Sequence, residues 1–223
     1  MKYDIKQAPF GILLCQLEQG ESMKCQQGGM AWMTRGIEMA TKAGGLGKMF
    51  KKAITKESIF FNTYTARMAG EIAFSMSFPG QLMAVDVSNQ AIVAQKGSFM
   101  ACEESVEMNI FFRKNAAAGL FSGEGFVMQR FSGRGMAFLE IDGGIIEYQL
   151  QPGQELVIDS GHLAAMEASC TINVETVKGL GNIVAGGEGL FNTVITGPGK
   201  VWLQTMPISN LAKAIQPYVV TGS

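Results

Sequence analysis

The sequence predicts an all-β protein with short helices, and three observations carry that expectation. The chain repeats itself: residues 80–139 laid over 144–203 at a fixed offset of 64 agree at 15 of 60 positions without a gap. Short β-rich runs recur at intervals of 8 to 12 residues, the spacing of a sandwich or barrel. Glycine punctuates them, with 28 glycines in 223 residues, so tight turns are plentiful.

The repeat orders the chain. Matches between the second and third copies include Gly80/Gly144, Gly97/Gly161, Ala101/Ala165, Gly123-Glu124-Gly125 over Gly187-Glu188-Gly189, and Gly133/Gly135 over Gly197/Gly199. A first copy begins at Gly11, where 8 of 23 positions agree with residues 144–166, among them Gly28, Ala31 and Met33. The units are therefore 11–79, 80–143 and 144–207, followed by a helical tail at 208–223. A unit of about 64 residues buries little surface alone, and no low-complexity linker separates the copies. Together these features favour a single compact body over 1–223. Gly97 and Gly161 are expected in equivalent turns, with Gly28 beside them.

The third copy shows the strands most clearly. Residues 144–150 lead to the turn Pro152-Gly153, and Glu155-Leu156-Val157-Ile158-Asp159 runs up to Gly161. Next come residues 162–166, then the strictly alternating Thr171-Ile172-Asn173-Val174-Glu175, then 189–195 and 200–204. Two segments read as helices instead. Leu46, Met49, Phe50, Ala53 and Ile54 form one apolar stripe with Lys48, Lys51, Lys52 and Lys56 largely off it. A second helix is expected near 209–216, capped by Ser209 or Asn210 and stopped by Pro217.

Composition excludes several classes. A formal charge of -1 gives no general attraction for nucleic acid, and charged residues are sparse at 17%. Arg130 and Arg134 meet Val194 and Pro198 in the third copy, so no basic ring repeats. No apolar run approaches the roughly 20 residues of a membrane span, and the start MKYDIKQAPFG has no apolar signal core. A cytoplasmic protein is the expectation. Cys15, Cys25, Cys102 and Cys170 form no CxxC pair, and their counterparts in the other copies are mostly apolar. They read as buried free thiols with no disulfide partner.

The phrases GSFMACEESVEM, GEGFVMQRFSGRGMAFL, SGHLAAMEASCTINVE and GGEGLFNTVITGPGKVWLQT resemble the altered-inheritance-of-mitochondria family over about residues 10–211. The first copy departs from the pattern: Ser58 replaces the glycine after Glu57, and the later G-x-G becomes Ala66-Arg67-Met68-Ala69-Gly70. The resemblance implies a fold similar to the tryptophan RNA-binding attenuation protein (TRAP). It implies three fused TRAP-like units in a double-stranded β-helix-like or sandwich-like body. It brings no established catalytic residues and no cofactor. TRAP-like folds imply assembly through sheet edges, so a closed homo-oligomer is expected, with a trimer as first guess.

Four groups are candidate sites. His162, the lone histidine, excludes multi-histidine metal sites and any triad not built on it. Its counterparts Gly29 and Ser98 mark a turn. Glu57, Glu124 and Glu188 fall at matching positions. They read either as carboxylates gathered on a cation or as acceptors in three like turns, and the second reading is preferred. Gly44-Gly45-Leu46-Gly47 leads into the first helix, but Lys48-Met49 lacks the Ser or Thr of a phosphate loop. The lysine-bearing helix is the candidate for a partner or an anionic membrane surface. The leading expectation is a non-enzymatic scaffold or binding protein. A small-ligand receptor or enzyme with a pocket between repeats, and a peripheral membrane organiser, are the alternatives.

Overall fold

The computed structural model describes residues 1–7, 10–43, 60–114, 126–176 and 191–219. They form an all-β fold of antiparallel sheets with one short helix. β1 (Lys2–Lys6) precedes six strands of the first copy: β2 (Ile12–Leu17), β3 (Ser22–Gln26), β4 (Met30–Met33), β5 (Ile37–Ala43), β6 (Phe60–Ala66) and β7 (Gly70–Ser75). The second copy supplies β8 (Gly80–Asp86), β9 (Ile92–Gln95), β10 (Phe99–Glu103), β11 (Val106–Lys114), β12 (Phe126–Gly133) and β13 (Met136–Asp142). The third supplies β14 (Ile145–Leu150), β15 (Glu155–Asp159), β16 (Leu163–Glu167), β17 (Thr171–Thr176), β18 (Phe191–Thr196) and β19 (Gly199–Gln204).

Each copy pairs its strands alike. The first, sixth and third strands form one ribbon: β2-β7-β4, β8-β13-β10 and β14-β19-β16. The fourth, fifth and second form another: β5-β6-β3, β11-β12-β9 and β15-β18-β17. Ribbons of successive copies then join, β3 pairing with β10 and β9 with β16, both antiparallel. The third strand carries a register shift at the same place each time: between Met30 and Trp32, Phe99 and Ala101, and Leu163 and Ala165. A bulge is a built feature that bends its strand and re-aims side chains.

The chain divides into two compact units. The first comprises Met1–Asp86, Phe99–Val106 and Arg134–Glu140, and holds the sheets β1-β2-β7-β4 and β5-β6-β3-β10-β13-β8. Its core includes Leu13, Cys15, Met23, Phe74, Met100 and Phe138, none of them exposed. Tyr3 lies edge-on to Phe138 with ring centroids 5.0 Å apart, a geometry that suits the ring quadrupoles. The second unit comprises Val87–Ser98, Glu107–Gly133 and Ile141–Ser223, and holds β11-β12-β9-β16-β19-β14 and β15-β18-β17. Val93, Met128, Leu163, Met166, Ile195 and Val201 are fully buried in it. Burial of each such large apolar side chain stabilises by about 1.5–3 kcal/mol.

One-turn 3₁₀ helices lie at Lys96–Ser98 and Ser160–His162, with Gly97 and Gly161 at their centres. Gly28 turns the chain differently. Its φ is +80 in a two-residue turn, a conformation that glycine adopts without steric cost.

The C-terminal helix α1 spans Ile208–Ile215. Neither Ser209 nor Asn210 caps it. The cap position is Pro207, which offers no side-chain acceptor, and the Ile208 N–H instead donates to Asp142 Oδ2 at 2.8 Å. A carboxylate at a helix start also meets the positive end of the helix dipole. Pro217 does end the helix, within a 3₁₀ turn at Gln216–Tyr218.

Candidate functional site

Polar groups that recur between copies hold strands together. Glu103, at the end of β10, accepts the Met136 N–H on Oε2 at 2.8 Å. Glu167, at the end of β16, accepts the Lys200 N–H on Oε2 at 2.9 Å. In the first copy Thr34 Oγ1 accepts the Glu71 N–H at 3.0 Å. Each side chain leaves the end of a third strand and fastens the start of a sixth. The glycine before the fastened residue makes room for the side chain. A Cβ on Gly70 would strike Thr34 Oγ1, and one on Gly135 would strike Glu103 Oε2. On Gly199 it would sit 2.7 Å from Ser169 Oγ and 3.0 Å from Glu167 Oε2.

A second pair of side chains ties the connections between copies. Glu140 receives the Ser77 N–H on Oε2 at 2.7 Å and the Gln26 amide on Oε1 at 2.6 Å. Gln204, at the matching position 64 residues on, accepts the Asp142 N–H on Oε1 at 3.2 Å and donates Nε2 to the Gly161 carbonyl at 2.8 Å. His162 joins this group. Its Nδ1 lies 2.8 Å from the Gln204 carbonyl and its Nε2 3.4 Å from Asn210 Nδ2. The ring thus links the 3₁₀ turn, the end of β19 and α1. Burial raises the Asp142 carboxyl above its ordinary range, and the Ile208 N–H pulls the other way.

A shallow cavity of about 400 Å³ in the first unit is lined by Met1, Glu21, Ser22, Glu103, Glu104 and Ser105. Its acids are engaged. The chain's terminal ammonium donates to Glu21 Oε1 at 2.5 Å, and Glu21 Oε2 accepts the Glu18 N–H at 2.9 Å. These bonds hold the Glu21 carboxyl below its ordinary value and raise the amine. No group of three or more His, Cys, Asp or Glu suited to a metal ion occurs among the described residues. All four cysteines are free and buried. Desolvation pushes the Cys15, Cys25 and Cys102 thiols up to about 12, which removes the nucleophilic thiolate at neutral pH.

The sheets leave two unusual margins. β4 ends the first sheet and β15 ends the last. On β4, Trp32 is 50% exposed and Met33 37%. Their counterparts Ala101 and Cys102 on β10, and Ala165 and Met166 on β16, are 0% exposed. On β15, Val157 is 61% exposed, whereas its counterpart Val93 on β9 is 0% exposed. Two other margins are protected. β1 carries Lys2, Asp4 and Lys6, with Lys6 and Asp4 paired at 2.5 Å. At β8, the Gln7 amide donates to the Leu82 carbonyl at 2.8 Å and accepts the Leu82 N–H at 2.9 Å. β4, with sequence MAWM, has no charge at all.

Lys48, Lys51, Lys52 and Lys56, and the acids Glu57, Glu124 and Glu188, lie outside the described residues. The carboxylates seen in matching roles are Glu103 and Glu167, which sequence reasoning did not single out. Their identity in the gapless register, two positions before the matched Ser105/Ser169, was the available signal.

Residues 3–206 match the profile of the family described as Mitochondrial biogenesis AIM24. The chain is 27% identical to the uncharacterized protein M6_Spy0233 of Streptococcus pyogenes serotype M6, over 96% of this chain and 89% of that one. It is also similar to the crystal structure of protein SPYM3_0169 from Streptococcus pyogenes. The TM-score there is 0.81 at 25% identity, covering 98% of this chain and 99% of that one. Among the described residues, no helix is long and apolar enough to cross a membrane.

Proposed function

Because the chain belongs to the Mitochondrial biogenesis AIM24 family, we propose that it is a non-enzymatic scaffold or binding protein. In this reading three TRAP-like β units are fused in one chain, and copies of the chain assemble into a closed homo-oligomer in the cytoplasm. The observation that carries it is the use of the recurring polar groups. Thr34, Glu103 and Glu167 spend their acceptors on backbone N–H groups within 3.0 Å, and Glu140 and Gln204 do the same for the connecting segments. The acceptor at this place in each of the three copies, Thr34, Glu103 or Glu167, therefore serves the fold. What remains outward is apolar strand edge, which sheet proteins ordinarily cover, pair or blunt.

Sedimentation together with thermal melting tests this reading. The expected result is a species well above the 24.0 kDa protomer, with melting unmoved by divalent metals or nucleotides. A protomer whose melting temperature rises by several degrees with one such ligand would instead support a receptor or enzyme. Capture by anionic vesicles would support a membrane organiser.

A further inference from the structure

We propose that β14 receives an added strand from a partner protein, an extended segment with a basic residue between two apolar ones. This rests on the reading of the chain as a binding protein and gives that reading a surface and a partner chemistry.

The chain itself shows how such an edge is closed. In the first copy β1 lies antiparallel on β2, with Tyr3 opposite Cys15, Asp4 opposite Leu14 and Ile5 opposite Leu13. Ile5 packs against the core there, and Leu13 and Cys15 are 0% exposed. Residues 144–166 match 11–33 without a gap, so Ile146, Glu147 and Tyr148 stand where Leu13, Leu14 and Cys15 stand. The inner pairing is also alike, Cys15 facing Ile72 and Tyr148 facing Val201. Among the described residues, however, β14 pairs with β19 alone and ends its sheet. Ile146 and Tyr148 are 46% and 44% exposed, while Val201 and Leu150 on the same face are buried in the core of the second unit. The core face of this sheet thus continues onto its last strand without a cover like β1.

The backbone offers two positions there. Bonded and non-bonded pairs alternate along an antiparallel ladder, and the Gly144 carbonyl accepts the Thr205 N–H at 3.0 Å. Ile146 and Tyr148 therefore bond inward to β19, and Glu147 and Gln149 turn their N–H and C=O groups outward. An added strand draws affinity from such groups and specificity from side chains packed at alternate positions. Carried over from β1, the register sets apolar residues opposite Tyr148 and Ile146 and one residue between them opposite Glu147. Charge selects that middle residue. The Glu147 carboxylate is held in place by Lys200 Nζ at 2.9 Å and Trp202 Nε1 at 2.8 Å. Lys200 lies on β19, one strand further in, so the charge nearest the added strand is the acid. Unlike charges directly opposite stabilise a strand pair and like charges destabilise it. The β1 of a second copy fits poorly, because Asp4 would face Glu147 and β1 is already spent on β2.

Peptide binding to the whole chain tests this. The probes are a labelled peptide of residues 1–7, MKYDIKQ, and the same peptide carrying Asp4→Lys. The Asp4→Lys peptide should bind roughly fivefold more tightly, the effect of exchanging a like pair for an unlike one. It should also perturb the amide signals of Glu147 and Gln149. Glu147→Lys, a change to an exposed side chain, should reverse the order of the two peptides. Equal binding of both peptides, or an order unchanged by Glu147→Lys, overturns the proposal. So does perturbation at Leu14 and Gln16 instead, which would be exchange with β1. A Tyr148→Lys protein should sediment as the wild type does; a lower mass would put a second copy on this edge and overturn the proposal. If the wild type assembles but binds neither peptide, this surface fails while the scaffold reading stands. If it binds the Asp4→Lys peptide as a protomer, this surface stands and the assembly reading fails.

Discussion

Glu103 and Glu167 stand 64 residues apart and make one hydrogen bond each of the same kind, Oε2 to the N–H of Met136 at 2.8 Å and of Lys200 at 2.9 Å. Each fastens the start of a sixth strand to the end of a third. The neighbouring glycine permits this, because any Cβ at Gly135 would occupy the space of the carboxylate.

Removing the clamp should therefore cost stability without disturbing the fold elsewhere. Glu103→Ala leaves a part-buried N–H without its acceptor, for about 1–3 kcal/mol. Glu103→Gln keeps an acceptor oxygen and should lose less. Gly135→Ala should be at least as damaging as Glu103→Ala, since φ is +121 there and the new methyl strikes Glu103. Urea unfolding of the three variants checks the order. A Glu103→Ala protein as stable as wild type would contradict the clamp.

The buried thiols give a second prediction. Cys15, Cys25 and Cys102 are pushed up to about 12 by desolvation. Native protein at pH 8 should therefore react with a thiol reagent slowly, and only through unfolding, while denatured protein should react at all four sites at once. Rapid modification of most cysteines in the native state would count against this packing.

The ion pair between Glu21 and the terminal ammonium should show in the pH dependence of stability. Glu21 is held below its ordinary 4.5, chiefly by the bond from the amine, so its contribution is present above that pH and fades as pH falls through the lowered value. The amine is raised above its ordinary 8.0 by the same bond, so its contribution is present below that pH and fades as pH rises through the raised value. Both are shallowly placed and the effect is small. The stability gap between wild type and Glu21→Gln should be flat between these limits and shrink on either side. A gap that widens in acid would be the wrong sign.

Thr63 offers a gain. It is 3% exposed, and its Oγ1 has no hydrogen-bond partner among the described residues. Thr63→Val keeps the shape and the β-branching and removes a desolvated hydroxyl, so it should stabilise by about 1 kcal/mol. Melting curves of the two proteins decide this, and a loss on substitution would mean that the hydroxyl is satisfied.

Much of the fold was legible because the strand pattern is written three times. The runs at 155–159, 171–175 and 200–204 in the third copy fall within β15, β17 and β19. What periodicity could not supply was long-range pairing. The start of α1 depends on Asp142, 66 residues before Ile208, so a search for a local cap turned to Ser209 and Asn210. The clamp was hidden for another reason. Thr34 stands in the first copy where the others have Glu, and a hydroxyl and a carboxylate do the same work here without looking alike. Nor could the sequence show which strands would end their sheets, since β4 and β10 read alike until their neighbours are known.

Native mass measurement of the unmodified protein tests the central claim most directly. It should give whole multiples of the 24.0 kDa protomer, held at micromolar concentration, without a retained small molecule, and reduced to the protomer by Met33→Lys or Val157→Lys on the exposed edges. A 24.0 kDa species across a wide concentration range, or an oligomer that neither edge substitution weakens, would contradict it.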